Sequence, residues 1–153
     1  KTYLVSKTII SAVTGMFSYV VLLIFNVDFP VLWAFLIFIL NYIPYIGSLM
    51  ATVLPALYAM FQFGNPMYVV YVFSSIQIVQ LLMGSIVEPK LMGKTLNLSP
   101  LAVLLSLVIW GYIWGVIGMI LSVPITAFLV IIMSHFDSSR PIAIFLSENG
   151  DIE

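Results

Sequence analysis

One stretch without a charged side chain decides the fold class: FPVLWAFLIFILNYIPYIGSLMATVLPALYAMFQFGNPMYVVYVFSSIQIVQLLMGSIV (29–87). Its 59 residues contain no Asp, Glu, Lys, Arg or His, and a second such stretch covers the 40 residues from Thr95 to Ser134. About 20 apolar residues cross the hydrocarbon core of a bilayer, and a charge buried there costs several kcal/mol. Each stretch is long enough for two crossings, which predicts a chain that lies in the membrane.

The composition supports this prediction and excludes other classes of protein. Hydrophobic residues make up 63% of the chain and charged residues 7%, against about 25% charged in soluble domains; the mean hydropathy is +1.21. The net charge of −1 argues against a nucleic-acid partner, because phosphate binding needs clustered Lys and Arg. The absence of Cys excludes a disulfide or a cysteine-based metal site, and we expect no cofactor. The chain opens on Lys1, which indicates a segment of a longer protein.

The apolar pattern predicts a transmembrane helical domain over 1–136 and a polar C-terminal tail over 137–153. The expected spans are about 8–27, 31–63, 67–87 and 101–133. The second and fourth exceed one crossing, since about 33 residues of helix would measure about 50 Å against a core of about 30 Å. We therefore predict an all-α polytopic helical membrane protein with broken or re-entrant helical hairpins. A pair of interrupted segments is typical of transport sites.

The positive-inside rule gives an orientation. With both long segments drawn as hairpins, all the basic side chains fall on one face, which we expect to be cytoplasmic: Lys1, Lys7, Lys90, Lys94 and Arg140. Asp28 and Asn65 then fall on the opposite face.

The interruption of the first long segment is a candidate part of a solute path, at Asn41, Pro44, Gly47 and Ser48. Proline lacks a backbone donor and glycine permits a sharp change of direction. Non-helical backbone at membrane depth is tolerated inside protein or beside water, where its polar groups can bind ions or polar solutes. The alternative is a simple proline kink.

A polar stripe follows on the span 67–87 and ends at the next loop. At 100° per residue its members lie within about 60° of one line: Ser74, Gln77, Gln80, Gly84 and Glu88. The stripe is either a solute path that ends at Glu88 or a set of interhelical hydrogen bonds, worth about 0.6–2 kcal/mol each. Glu88 is a gate, a proton or cation site, or an interfacial carboxylate.

Four glycines are expected to let helices pack closely, namely Gly84, Gly111, Gly115 and Gly118. Gly111 and Gly115 form a G-x-x-x-G pair, which brings helix backbones together in membranes, and we expect a homo-oligomer. His135 has no ligand partner at helical spacing and no Ser-His-Asp arrangement is visible. We therefore expect no enzyme, no catalytic residue and no metal site.

Three stretches resemble the autoinducer-2 exporter family of TqsA-like permeases: NYIPYIGSLMA (41–51), GSIVEPKLMGKTLNLSPLAVLLSLVIWGYIWGVIGMILSVPITA (84–127) and PIAIFLS (141–147). The resemblance covers essentially the whole chain and the C-terminal part of the family's usual length. It implies a multi-pass permease of the bacterial inner membrane that exports autoinducer-2, a small, uncharged, hydroxyl-rich quorum-sensing signal. The features that carry over are the break at Asn41, Pro44 and Gly47 and the loop from Glu88-Pro89 to Gly93.

The leading hypothesis is a transporter for a small polar solute, because Gln and Asn suit an uncharged polyol without a fixed charge. Two alternatives stay open. Some members of the family are associated with sodium or lithium for proton exchange, and such an antiporter would use cations and a titrating Glu88. A membrane scaffold without transport would be held together by the face of Gly111 and Gly115. The expected partners are a solute like autoinducer-2 or cations, the lipid bilayer and further copies of the chain.

Overall fold

The computed structural model describes residues 2–92, 98–136 and 140–147. The chain forms two compact units, Lys1–Met92 (the N-terminal unit) and Gly93–Glu153 (the C-terminal unit). In the described residues four helices are long and apolar enough to cross a membrane: Tyr3–Ile24, Ile46–Phe63, Met67–Lys90 and Pro100–Ser134. The predicted all-α polytopic membrane fold is therefore confirmed.

The N-terminal unit contains five α-helices and one π-helical turn within its described residues. They are α1 (Thr2–Ile24), α2 (Pro30–Leu40), α3 (Ile46–Phe63), α4 (Met67–Leu82), the π turn (Met83–Val87) and α5 (Glu88–Met92). A buried apolar core joins the first four helices and includes Leu22, Ile37, Ala51, Ala56, Val72 and Ile76.

Helices α2 and α3 are the two arms of a hairpin. Helix α2 has 11 residues and so measures about 16 Å, which is too short to cross a core of about 30 Å. The chain then turns through Tyr45, which has a left-handed φ of 56°. The first turn of α3 begins with hydrogen bonds from Ile46 N to Pro44 O at 2.6 Å and from Gly47 N to Ile43 O at 3.1 Å.

Gly47 lets the two arms of this hairpin touch. A Cβ at this position would collide with the carbonyl oxygen of Leu40 and would lie 3.1 Å from the Cβ of Ile43. Small residues continue along the buried side of α3 at every fourth position, as Ala51, Pro55 and Ala59. Small residues at this spacing bring helices close together in membranes.

The hairpin runs along α1 and returns. At its tip, the Asn41 amide donates to Ser11 Oγ at 3.2 Å. At its open end, the Gln62 amide donates to Asn26 O at 2.9 Å and its oxygen accepts from Asp28 N at 2.8 Å. Ser11 and Asn26 lie about 22 Å apart along α1. The predicted re-entrant hairpin over 31–63 is thus present, and both of its ends lie at the same end of α1.

Helix α4 lies antiparallel to α1. The rings of Phe25 and Tyr71 stack with centroids 6.5 Å apart, at the end of α1 and the start of α4. At the opposite end, Lys7 Nζ is 2.7 Å from Glu88 Oε1. The acidic Asp28 therefore lies at one end of the unit and the basic Lys7 at the other.

This geometry predicts the labelling pattern of single cysteines, which the Cys-free sequence permits. Asp28, Asn65 and Lys90 are exposed, so Asp28→Cys and Asn65→Cys are expected to react with an impermeant maleimide in spheroplasts. Lys90→Cys is expected to react only in inverted vesicles. Labelling of Asn65→Cys and Lys90→Cys from the same side would contradict the antiparallel arrangement.

The C-terminal unit is built on a second hairpin. Its helices are α6 (Pro100–Ser134) and α7 (Arg140–Leu146). Helix α6 is broken at Gly115, where φ is 62° and ψ is −141°. Beyond the break the chain returns, because Trp110 Nε1 donates to Thr126 Oγ1 at 3.0 Å, although 16 residues of straight helix would separate them by about 24 Å. The predicted break within 101–133 is therefore present.

The two hairpins share a sequence pattern at their tips. A Tyr-Ile pair precedes each break, at 42–43 and 112–113, and an Ile-Gly pair follows it, at 46–47 and 117–118. In the second hairpin a Cβ at Gly118 would collide with the carbonyl oxygen of Trp110. Each glycine thus brings the second arm against a backbone carbonyl of the first.

The predicted polar tail is only partly described. Residues 137–139 and 148–153 lie outside the described residues, and 140–146 form α7. The Leu146 carbonyl accepts from Ser99 N at 2.9 Å, so the end of α7 lies beside the start of α6. Ser99 also caps α6, since its Oγ accepts from Ala102 N at 3.2 Å.

Candidate functional site

A column of buried polar side chains follows one face of α1. Lys7, Ser11, Thr14 and Ser18 are each at most 6% exposed. Their spacing of four, three and four residues places them on one helix face. Burying a polar group is costly unless it is hydrogen-bonded, so the partners of these groups decide what the column can do.

Two of the hydroxyls have partners of their own. Ser11 Oγ accepts from the Asn41 amide at 3.2 Å. Thr14 Oγ1 donates to Ile10 O at 2.8 Å, as threonine commonly does within a helix. Ser18 Oγ is buried and has no hydrogen-bond partner in the described part of the chain.

Gln80 supplies a second unsatisfied group, from α4. The residue is 7% exposed, and its Nε2 has no partner among residues 2–92, 98–136 and 140–147. An unsatisfied buried donor costs about 1–3 kcal/mol. Gln80 stands eight residues before Glu88, and Gly15 stands eight residues after Lys7. Because α1 and α4 are antiparallel, Gln80 lies near the level of Gly15, and counting from the Phe25–Tyr71 stack, where no π turn intervenes, gives the neighbouring Met16.

The ion pair and the hairpin tip lie together at one end of the column. The Lys7 side chain is 8% exposed and the Glu88 side chain 27%, so the ammonium is the deeper partner. At the next residue of α1, Tyr42 donates its hydroxyl to Thr8 Oγ1 at 2.7 Å. These contacts place the ion pair and the hairpin tip at the same end of α1.

The π turn sets the direction of Glu88. Met83–Val87 forms this wider turn between α4 and α5, and π turns occur frequently at functional sites. A helical wheel at 100° per residue does not apply across it. The pairing of Glu88 with Lys7 was therefore not visible in the sequence pattern.

The predicted stripe on α4 does not share one environment. Gln80 is buried, Gln77 is half-buried, and Ser74 and Gly84 are exposed. The buried side of α4 carries Val72, Ile76 and Gln80, and Ser74 stands about 120° from Gln80 at the opposite edge of the stripe. The structure thus groups Gln80 with the core and leaves Ser74 outside it.

The other candidates at the first break hold the tip together. Asn41 is buried against Ser11. Ser48 Oγ donates to Tyr45 O at 3.0 Å, and the Pro44 carbonyl accepts from Ile46 N. In this conformation Asn41, Pro44, Gly47 and Ser48 position the hairpin, and their contact with a solute stays a prediction.

The glycines expected to pack helices differ from one another. Gly118 packs the two arms of the second hairpin, and a Cβ at Gly111 would lie 3.0 Å from the side chain of Met119. A Cβ at Gly84 or Gly115 would meet no described atom within 4 Å. Packing of these two glycines against another copy of the chain stays a prediction, as does the homo-oligomer.

In the described ranges no cluster of three or more His, Cys, Asp or Glu side chains is found. Within residues 2–92 the polar groups of the bundle include hydroxyls, amides, the Trp33 indole N–H and the Lys7–Glu88 ion pair.

Comparison with known proteins decides the family. Residues 1–138 match the family described as AI-2E family transporter. The chain belongs to the AI-2E transporter family. AI-2E transporters are bacterial membrane proteins, and the long apolar helices agree with the expected multi-pass location in the inner membrane.

Individual relatives are transport proteins by name. AI-2 transport protein TqsA of Escherichia coli K12 is 39% identical over 146 residues, covering 95% of this chain and 42% of TqsA. A protein of Borreliella burgdorferi is 37% identical over 145 residues, 94% of this chain and 40% of that protein. A protein of Haemophilus influenzae is 39% identical over 151 residues, 99% of this chain and 42% of that protein. The last two carry provisional transport names without a substrate. The chain spans about two-fifths of the length of these relatives.

Proposed function

We propose that this protein acts, in its full-length form, as a membrane permease for a small uncharged polar solute, and that the solute is autoinducer-2. The observation that carries the proposal is the Gln80 amide, which is buried in the bundle with no partner in the described residues. The relative TqsA supports the identity of the solute, since its name is that of an AI-2 transport protein.

The chemistry of the bundle favours an uncharged solute. The span from Met67 to Val87 has no ionisable side chain other than tyrosine, and the carboxylate that directly follows it, Glu88, is paired with Lys7. An ion in the bundle would lose its hydration without a countercharge, which costs several kcal/mol. Amides and hydroxyls, in contrast, both donate and accept hydrogen bonds and can replace the water around a hydroxyl-rich molecule.

The proposed path uses Asn41, Gln77 and Gln80 and ends at the Lys7–Glu88 pair. Ser74 is left out of it, because Ser74 is exposed on the far side of α4. The two broken hairpins support this assignment, since interrupted helices are the usual sites of solute binding in secondary transporters.

The test uses inverted membrane vesicles that contain the full-length protein. We expect uptake of labelled autoinducer-2 above that of empty vesicles, with no proton movement reported by a pH-sensitive dye when sodium or lithium is added. A cation-driven proton signal without uptake of the solute would overturn the proposal and establish cation/proton exchange.

A further inference from the structure

We infer that α1 supplies the second wall of the solute site: the hydroxyls of Thr14 and Ser18 bind the hydroxyl or carbonyl groups of an uncharged solute opposite Gln80. This inference rests on the proposed function. It adds two residues of α1 to the path, and the sequence pattern did not indicate either of them. Three features support it: the side of α1 on which Thr14 and Ser18 lie, the position of Gln80 along the α1 axis, and the hydrogen-bonding groups that lack partners.

The orientation follows from two contacts of α1. Lys7 pairs with Glu88 and Phe25 stacks on Tyr71, so both side chains point towards the α4–α5 side. These two residues are 18 apart, which is five full turns at 100° per residue, and therefore lie on one line. Thr14 and Ser18 fall within about 20° of this line. Thr14 and Ser18 therefore lie on the side of α1 that carries these two contacts.

The level of the groups agrees with this orientation. Gln80 lies near the level of Gly15 and Met16, between Thr14 and Ser18. The rise of 1.5 Å per residue places both hydroxyls within about 5 Å of that level along the helix axis. The three side chains therefore lie in one layer of the bundle.

The hydrogen-bonding capacity of this layer is incomplete. Ser18 is 0% exposed and its Oγ lacks a partner, as does Nε2 of Gln80, within the described residues. Thr14 Oγ1 uses its proton on Ile10 O, so its oxygen can still accept. An amide donor, a hydroxyl and an accepting oxygen are left for a ligand. The free amide N–H groups would repel a cation, so a neutral molecule with hydroxyl or carbonyl oxygens fits best.

Uptake kinetics test the inference in the full-length protein. Ser18→Ala is expected to raise the KM for labelled autoinducer-2 about threefold to tenfold, the range for one lost hydrogen bond, with the maximal rate within about twofold. Ser18→Thr keeps a hydroxyl and is expected to restore most of the affinity. The matched control is Ser134→Ala, because the described partners of the Ser134 hydroxyl are both local, Ile131 O and His135 Nδ1. An unchanged KM for Ser18→Ala would overturn the inference.

Alkylation of a cysteine separates this inference from the proposed function. Ser18 is 0% exposed in this conformation, so N-ethylmaleimide reaches Ser18→Cys only when the path opens; autoinducer-2 is expected to slow that reaction, but not that of Phe17→Cys, which is 54% exposed at the adjacent position. A Ser18→Cys that never reacts would show a layer closed to solutes and would overturn the inference. Uptake by the wild type without protection at Ser18→Cys overturns the inference alone. Protection by sodium in place of the solute overturns it in favour of a cation site. Absence of uptake by the wild type overturns the proposed function itself.

Discussion

The Gly47→Ala protein is expected to lose most of its folded fraction, because a methyl group at this position has no room. The added carbon would overlap the carbonyl oxygen of Leu40 and approach Ile43. A backbone carbonyl cannot rotate away as a side chain can, so the arms of the first hairpin must separate. Overpacking costs about 1–3 kcal/mol and occasionally more, and we expect about 3 kcal/mol or more here.

The control is the same substitution at an open position. Gly84→Ala adds a methyl group where no described atom lies within 4 Å and keeps a small residue suited to helix packing, so it is expected to melt like the wild type. Gly118→Ala is expected to behave like Gly47→Ala, because it meets the carbonyl of Trp110. The measurement is the thermal midpoint and the monodisperse fraction of the full-length protein in detergent. Equal midpoints for Gly47→Ala and Gly84→Ala would contradict the close approach of the arms.

Removal of Glu88 is expected to destabilise the protein more than removal of Lys7. The Lys7 side chain is 8% exposed and the Glu88 side chain 27%. Glu88→Met leaves a buried ammonium without its partner, which typically costs about 3–5 kcal/mol. Lys7→Met leaves a carboxylate that water can still reach, so the loss is expected to be smaller.

The double variant distinguishes a true ion pair from two independent contacts. Lys7→Met combined with Glu88→Met removes both charges and keeps apolar volume, and such replacements are often neutral. We expect it to be more stable than Glu88→Met alone and close to the wild type in thermal midpoint. Losses that simply add in the double variant would show that the two side chains are not coupled.

The sequence was sufficient for the hairpins because length and helix breakers are both visible in it. Segments 31–63 and 101–133 are too long for one crossing, and Pro44 and Gly115 mark where helical geometry fails. The tip contacts of Gly47 and Gly118 depend on a carbonyl from the other arm. The Tyr-Ile and Ile-Gly pairs recur at both tips, and this repeat was the sequence signal that the two hairpins share the same tip contact.

The polar groups of the site were predicted less completely. The stripe on α4 included Gln80 but also Ser74, because helical periodicity shows which residues share a face of the helix but not which other helices pack against that face. Ser11, Thr14 and Ser18 were missed, since serine and threonine in membrane helices commonly bond to their own backbone. Their spacing with Lys7 was the signal that would have found them. The π turn before Glu88 has no equivalent signal in the sequence.

In the proposed path, the solute passes along the buried polar groups of the N-terminal unit. The most direct test of this path is uptake of labelled autoinducer-2 into inverted vesicles that carry the full-length wild type, Gln80→Leu or Ser74→Ala. Gln80 is buried and Ser74 is exposed. At matched protein levels we expect wild-type uptake, a loss of about tenfold or more for Gln80→Leu, and unchanged uptake for Ser74→Ala. Wild-type uptake by Gln80→Leu would contradict the path and leave Gln80 a packing residue.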